Sequence, residues 1–210
     1  MSLASGRVNR AIGDIPILVW YDVSMKRVFI VHGYTGYPEK NWFPWLKTEL
    51  EKLGLQVAVP AMPHTEAPLL NEWLPHLQKV VGDPDEDTYF VGHSLGCPTI
   101  LRYLESLGND QMLGGVLLVA GFAETLPHLP QLDSFTEGTW DDGSIKAHVK
   151  KIAIINSDDD KAVPLFNGEH VRDRFSAELT VVHNMGHINE KAGVKEVPFV
   201  LNKLQDMMAL

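Results

Sequence analysis

Cysteine is almost absent from this chain: Cys97 is the single one in 210 residues. One thiol forms no internal disulfide. With neither a C-x-x-C pair nor a Cys/His zinc spacing, redox chemistry and structural zinc are not expected, and a reducing cytoplasm is the expected setting. Long apolar runs are also missing. The run Ile15 to Tyr21 falls far short of the about twenty residues a spanning helix requires, so no membrane span is expected. Arg7 and Arg10 precede it as in a signal sequence, but no small-x-small cleavage site follows, which argues against secretion. Positive charge is scarce, with Lys+Arg 18 against Asp+Glu 27, a net charge of -9 and no basic stripe. A phosphate backbone would be repelled on average, and nucleic acid is not an expected partner. No internal repeat and no collagen-like period is present. The 45% apolar content over this length is enough for one domain that buries its own core.

What is present begins in earnest at Met25, where a charged start passes into the β-rich run of Val28 to Val31. Residues 1–24 read either as a leader or N-terminal extension, or as an extra edge strand over Ile15 to Tyr21. From Arg27 onward, strand-like runs alternate with helix-length amphipathic stretches, the pattern of a parallel sheet covered by crossover helices. The strands are expected at Val28 to Val31, Gln56 to Val59, Thr88 to Val91, Val116 to Ala120, Ile152 to Ile155 and Leu179 to Val182. Asn41 is positioned to cap a helix carrying Trp42, Trp45, Leu46, Leu50 and Leu53, stopped by Gly54. Trp73, Leu74, Leu77 and Val80 mark a second helix, Pro98 to Leu107 a third, and Val197 to Met208 a last one. Trp42, Trp45 and Trp73 are expected to pack helices on the sheet. Residues 121–146 lack clear periodicity. They leave a strand end where open α/β sheets bind ligands, so a substrate-binding wall is expected there rather than a plain decorated loop.

Gly92-His93-Ser94-Leu95-Gly96 matches G-x-S-x-G between an apolar strand and a helical pattern, the context for a strained turn that lifts a serine hydroxyl above a sheet. A serine needs a base to take its proton, and that base needs an acceptor on its other ring nitrogen. Ser157-Asp158-Asp159-Asp160 follows one strand and Asn184-Met185-Gly186-His187 follows the last, giving the chain order Ser, Asp, His. The expected catalytic residues are Ser94, Asp160 and His187, with Asp158 and Asp159 as competing acids. The oxyanion hole is expected from the amides of Leu95 and Tyr34, the latter in the loop after His32-Gly33. His32 reads as a structural residue of that turn, with an orienting role as the rival. Cys97 sits near the helix start but lacks the elbow, so packing beneath the turn is its expected role.

Together VFIVHGYTGYPEKNWFPWLKTELEKLG, GHSLGCPTILRYLE, SDDDKAVP and NMGHINE resemble the α/β-hydrolase family of small serine hydrolases of the YdeN type, over about residues 25–205. The resemblance implies a compact α/β-hydrolase domain at 25–210, a three-layer sandwich with a mostly parallel central sheet. It also implies hydrolysis of a small-molecule ester or amide without cofactor or metal, through Ser94, Asp160 and His187. A carboxylesterase is the expected activity. The rivals are a peptidase or amidase with the same triad and a noncatalytic protein-interaction module on a hydrolase fold. HGYTG stands where many lipases carry HGGG, so a different oxyanion-loop shape is expected.

Overall fold

The structure, a computed structural model, describes residues 25–210 in full and, before them, the backbone of two strands, β1 (Gly6–Ala11) and β2 (Pro16–Tyr21). These pair antiparallel in a two-stranded sheet. Pro16–Tyr21 therefore pairs with Gly6–Ala11 and is not a strand of the main sheet. The rest of the reading of 1–24 as leader or extension falls on 1–5, 12–15 and 22–24, outside the described residues.

The main sheet has six strands: β3 (Arg27–Val31), β4 (Gln56–Ala58), β5 (Thr88–His93), β6 (Gly115–Val119), β7 (Ile152–Ser157) and β8 (Glu178–Val182). Their order is β4-β3-β5-β6-β7-β8, and every adjacent pair is parallel. Parallel neighbours cannot be joined by a tight hairpin, so each link is a crossover. The links carry α1 (Phe43–Lys52), α2 (Leu70–Val81), α3 (Gly96–Glu105), α4 (Asp142–Ala147) and α5 (Leu165–Phe175), and α6 (Pro198–Met208) closes the chain.

The central strands are apolar on both faces because helices cover both. Phe29, Val31, Phe90, Val116, Leu118 and Ile154 point to one side, packed with Trp73 and Leu77 of α2, the buried face of α3, and Val171 and Phe175 of α5. Val28, Ile30, Val91, Leu117, Val119 and Ile155 point to the other, against Trp42, Phe43, Leu46, Val200 and Leu204 from around α1 and α6. Trp42 and Trp73 are thus core residues, as expected, and Trp45 is partly buried against the second layer.

One local expectation fails and one helix is unforeseen, each for an identifiable reason. Asn41 caps no helix. Its backbone is left-handed (φ 55), α1 has no side-chain cap, and Asn41 Oδ1 accepts from the Glu190 amide instead. Helix α5 has no counterpart in the apolar pattern, because Asn167 and Gly168 occupy buried positions on it. Gly168 is required there: a Cβ would come 2.9 Å from Asn156 Cγ.

Candidate active site

The carboxyl ends of β3, β5, β7 and β8 lie on one sheet edge, the place where open parallel sheets bind ligands. Ser94 follows β5 in left-handed backbone geometry (φ 53), a conformation that costs a non-glycine residue about 1–2 kcal/mol. Packing holds it there. A Cβ on Gly96 would run into the Val31 carbonyl, and one on Gly92 would come 3.0 Å from the Cys97 amide nitrogen. The two glycines of the pentapeptide therefore let the start of α3 close onto β3 and β5, and the turn between them projects Ser94. Gly33 closes from the other side: a Cβ there would lie 2.9 Å from Ser94 Cβ and 3.4 Å from its Oγ.

The expected acid and base, Asp160 and His187, meet across the loops after β7 and β8. His187 Nδ1 donates to Asp160 Oδ2 at 2.7 Å, with the Asp160 side chain fully buried and that of His187 19% exposed. Asp160 Oδ1 accepts the amides of Ala162 (2.8 Å) and Val163 (3.0 Å). Neither of the competing carboxylates reaches the His187 ring. Asp158 takes His183 Nδ1 at 2.6 Å and the Asn184 amide at 3.0 Å, while Asp159 takes Ser157 Oγ at 2.7 Å and the Gly186 amide at 2.8 Å. Ser157 Oγ in turn accepts the Met185 amide.

Ser94, His187 and His93 line one cavity of about 220 Å³ with Tyr34 and Gly33. Leu129, Leu132, Ala162 and Val163 form its apolar wall, and Lys40, Asn41, Glu190 and Lys191 its polar one. Among the described residues Ser94 Oγ makes no hydrogen bond, and the amides of Tyr34 and Leu95 donate to no acceptor. Tyr34 lines the cavity with Ser94, and Leu95 follows the serine directly in the chain.

Residues 28–206 match the family described as Serine hydrolase. The chain belongs to that family. It is 41% identical over 179 residues to the hydrolase YdeN of Bacillus subtilis (strain 168), covering 85% of this chain and 94% of that protein. The crystal structure of the B. subtilis ydeN gene product superposes with a TM-score of 0.86 at 40% identity, covering 89% of this chain and all (100%) of the other. Serine hydrolase RBBP9 of Rattus norvegicus is 27% identical over 167 residues, 78% of this chain and 88% of that protein. Est1E from Butyrivibrio proteoclasticus shares the fold at a TM-score of 0.67 and 16% identity, over 98% of this chain and 100% of its own. The α/β-hydrolase fold is thereby shown, with a central sheet that is all-parallel rather than mostly parallel.

Other side chains of this serine hydrolase serve the site from behind. His32 accepts the Met62 amide at Nε2 (3.2 Å), which leaves Nδ1 to donate to the Gly33 carbonyl at 3.0 Å. It is the structural residue of the turn. Burial, ahead of the opposing hydrogen bond, holds its pKa below the ordinary imidazole value. Cys97 lies buried beneath the elbow with Sγ 3.5 Å from the Val119 carbonyl, and burial pushes its thiol far above the usual range, so it is no thiolate. Residues 121–146 supply Leu129 and Leu132 to the cavity and are strapped to α3 by Arg102. Its guanidinium donates to the carbonyls of Phe135 and Glu137 and lies 3.7 Å from the centre of the Trp140 ring. No motif or spacing singles out Asn156, which exchanges hydrogen bonds with both backbone groups of Gly121 at 3.2 Å and so sets the chain leaving β6. No helix among the described residues is long and apolar enough to cross a membrane.

Proposed function

We propose that this serine hydrolase is a carboxylesterase that cleaves small esters through an acyl-enzyme. The observation that carries the reading is the 2.7 Å bond from His187 Nδ1 to the buried Asp160, which leaves Nε2 as the free ring nitrogen of a histidine that shares its cavity with Ser94. Bonding at Nδ1 orients the ring and selects the tautomer whose Nε2 can accept a proton.

Substrate enters with its carbonyl oxygen toward the amides of Leu95 and Tyr34. His187 takes the Ser94 proton, Ser94 Oγ attacks the carbonyl carbon, and the oxyanion is received by the two amides. A good oxyanion donor contributes about 3–4 kcal/mol to such a transition state. Asp160 stabilises the imidazolium. His187 then protonates the leaving alcohol, and a water deprotonated by the same histidine releases the acid. The Ser94–His187 hydrogen bond forms as the Michaelis complex tightens, a common behaviour of catalytic contacts that are open in the free enzyme. The small cavity and its apolar wall of Leu129, Leu132 and Val163 favour a short acyl chain.

A fluorophosphonate probe followed by mass mapping tests this. The adduct is expected on Ser94, with a panel of short p-nitrophenyl esters turned over by the intact protein. Ser94→Ala and His187→Ala should lower turnover roughly 10⁴- to 10⁶-fold with little change in melting temperature. Cleavage of peptides in preference to esters would make the protein an amidase with the same triad. Absence of both the adduct and turnover would leave a noncatalytic module on a hydrolase fold.

A further inference from the structure

The loop that carries His187 is held from below by two rings that no step of the mechanism uses. Trp42 Nε1 donates to the Ile188 carbonyl at 2.8 Å, and His93 Nε2 lies 3.0 Å from the His187 carbonyl. A carbonyl only accepts, so His93 carries its proton on Nε2 and donates it. The two donors therefore seize consecutive carbonyls of the base loop. They also brace each other, with the Trp42 and His93 rings meeting edge to face at 5.7 Å, and the His93 ring lies 5.0 Å from that of His187.

The residue between those carbonyls explains why a clamp is needed. Ile188 is fully buried in left-handed backbone geometry (φ 46), an outlier for a β-branched side chain that persists only where the surroundings over-determine it. The Phe43 ring also packs on His93, with centroids 5.9 Å apart. The imidazole is desolvated, and with His187 beside it its pKa is pushed down to about 3. It is therefore a neutral donor through the ordinary working range.

We infer that Trp42 and His93 are positioning residues for the general base, a two-ring clamp that sets the height and rotation of His187 by fixing the carbonyls on either side of Ile188. His93 is the first variable residue of the G-x-S-x-G elbow, so the clamp ties the nucleophile's own strand end to the base loop. The assignment rests on His187 acting as the base.

The test compares His93→Leu, which loses the donor, with His93→Gln, whose amide nitrogen reaches as far as Nε2, and with Trp42→Phe, which keeps a ring without the N–H. Steady-state kinetics on a p-nitrophenyl ester should show kcat falling roughly 10- to 100-fold in His93→Leu and in Trp42→Phe, with KM within about twofold, and near-complete rescue in His93→Gln. Proton NMR of the His187 Nδ1–H bonded to Asp160 gives a readout that needs no turnover. That proton should exchange faster with water in His93→Leu and Trp42→Phe than in the parent or His93→Gln. Should His93→Leu not fold, Trp42→Phe and His93→Gln decide the matter. Parental kcat and parental exchange in Trp42→Phe and every folded donor-lacking variant would overturn the clamp. Inactivity of the parent protein would instead overturn the hydrolytic reading and leave the exchange experiment to judge the clamp.

Discussion

The two halves of the site are built from different materials. The elbow around Ser94 is held by sterics: Gly92, Gly96 and Gly33 are the residues whose lack of a side chain lets backbone meet backbone. The acid and base loops are held by polar bonds. Asp158, Asp159 and Asp160 each cross from the end of β7 to the loop after β8, reaching His183 and Asn184, Gly186, and His187 in turn. Steric construction is short-ranged in space and indifferent to pH. Polar construction depends on protonation. The elbow should therefore fail abruptly when volume is added, and the loops should weaken by degrees.

The largest effect is expected at Gly96. An added methyl has no flexible side chain to push aside, only the Val31 carbonyl at the end of β3 and the His32 carbonyl after it. Gly96→Ala should lose about 3 kcal/mol or more of stability and its turnover with it, since α3 and Ser94 must move together. Urea denaturation measures the first and ester hydrolysis the second. A parental unfolding midpoint would show that the elbow has slack, and the contrast between the two halves would collapse.

That contrast also accounts for what could be read before the structure was in hand. A steric turn needs a fixed set of neighbours along the chain, so G-x-S-x-G between a strand and a helix exposes it in five consecutive residues. The four inner strands were legible for a related reason, their apolar runs being buried on both faces, and the partly exposed edge strands β4 and β8 kept enough apolar residues to show as well. The polar half has no comparable spacing. Chain order brought SDDD and His187 to the same edge, but three adjacent carboxylates differ only in where the loop aims them, and all three turn out to be employed. Trp42 and Ile188 are far apart in sequence, and a tryptophan at helix spacing reads simply as core. Helix α5 was hidden because Asn167 and Gly168 are buried for their fit against β7. A crossover between the parallel β7 and β8 still demanded a connecting element there.

The next effect is acid sensitivity, and His93 links the two halves in it. Burial holds the pKa of His32 low and pushes that of His93 down to about 3 from an ordinary 6.5. As pH falls below about 6.5 the unfolded chain takes up these protons and the folded one does not, so stability is lost on acidification and is fully present above 6.5. Each proton bound only by the unfolded state contributes a slope of about 1.4 kcal/mol per pH unit. Urea midpoints measured from pH 7.5 down to pH 5 should fall for the parent protein and fall less steeply for His93→Gln. Equal slopes would mean that His93 takes up a proton in the fold, against its burial as a neutral ring beside another imidazole.

The smallest effect is expected at Asp159, whose carboxylate holds the Gly186 amide next to His187 without touching the ring. The Ser157 hydroxyl and then that amide hold its pKa below the ordinary carboxylate value, so it is ionised near neutrality. In Asp159→Asn the side-chain oxygen can still accept both bonds, but as a neutral amide rather than a carboxylate. Charge-assisted bonds are stronger than neutral ones, but solvent screens a group this exposed, so kcat should fall by no more than about a few-fold. Folding should be unaffected, because the residue is exposed and its partners stay bonded. A loss as deep as that of Gly96→Ala would mean that the polar half is as unforgiving as the steric one. No loss at all would mean that Asp160 and the Trp42–His93 clamp hold His187 without help from Asp159.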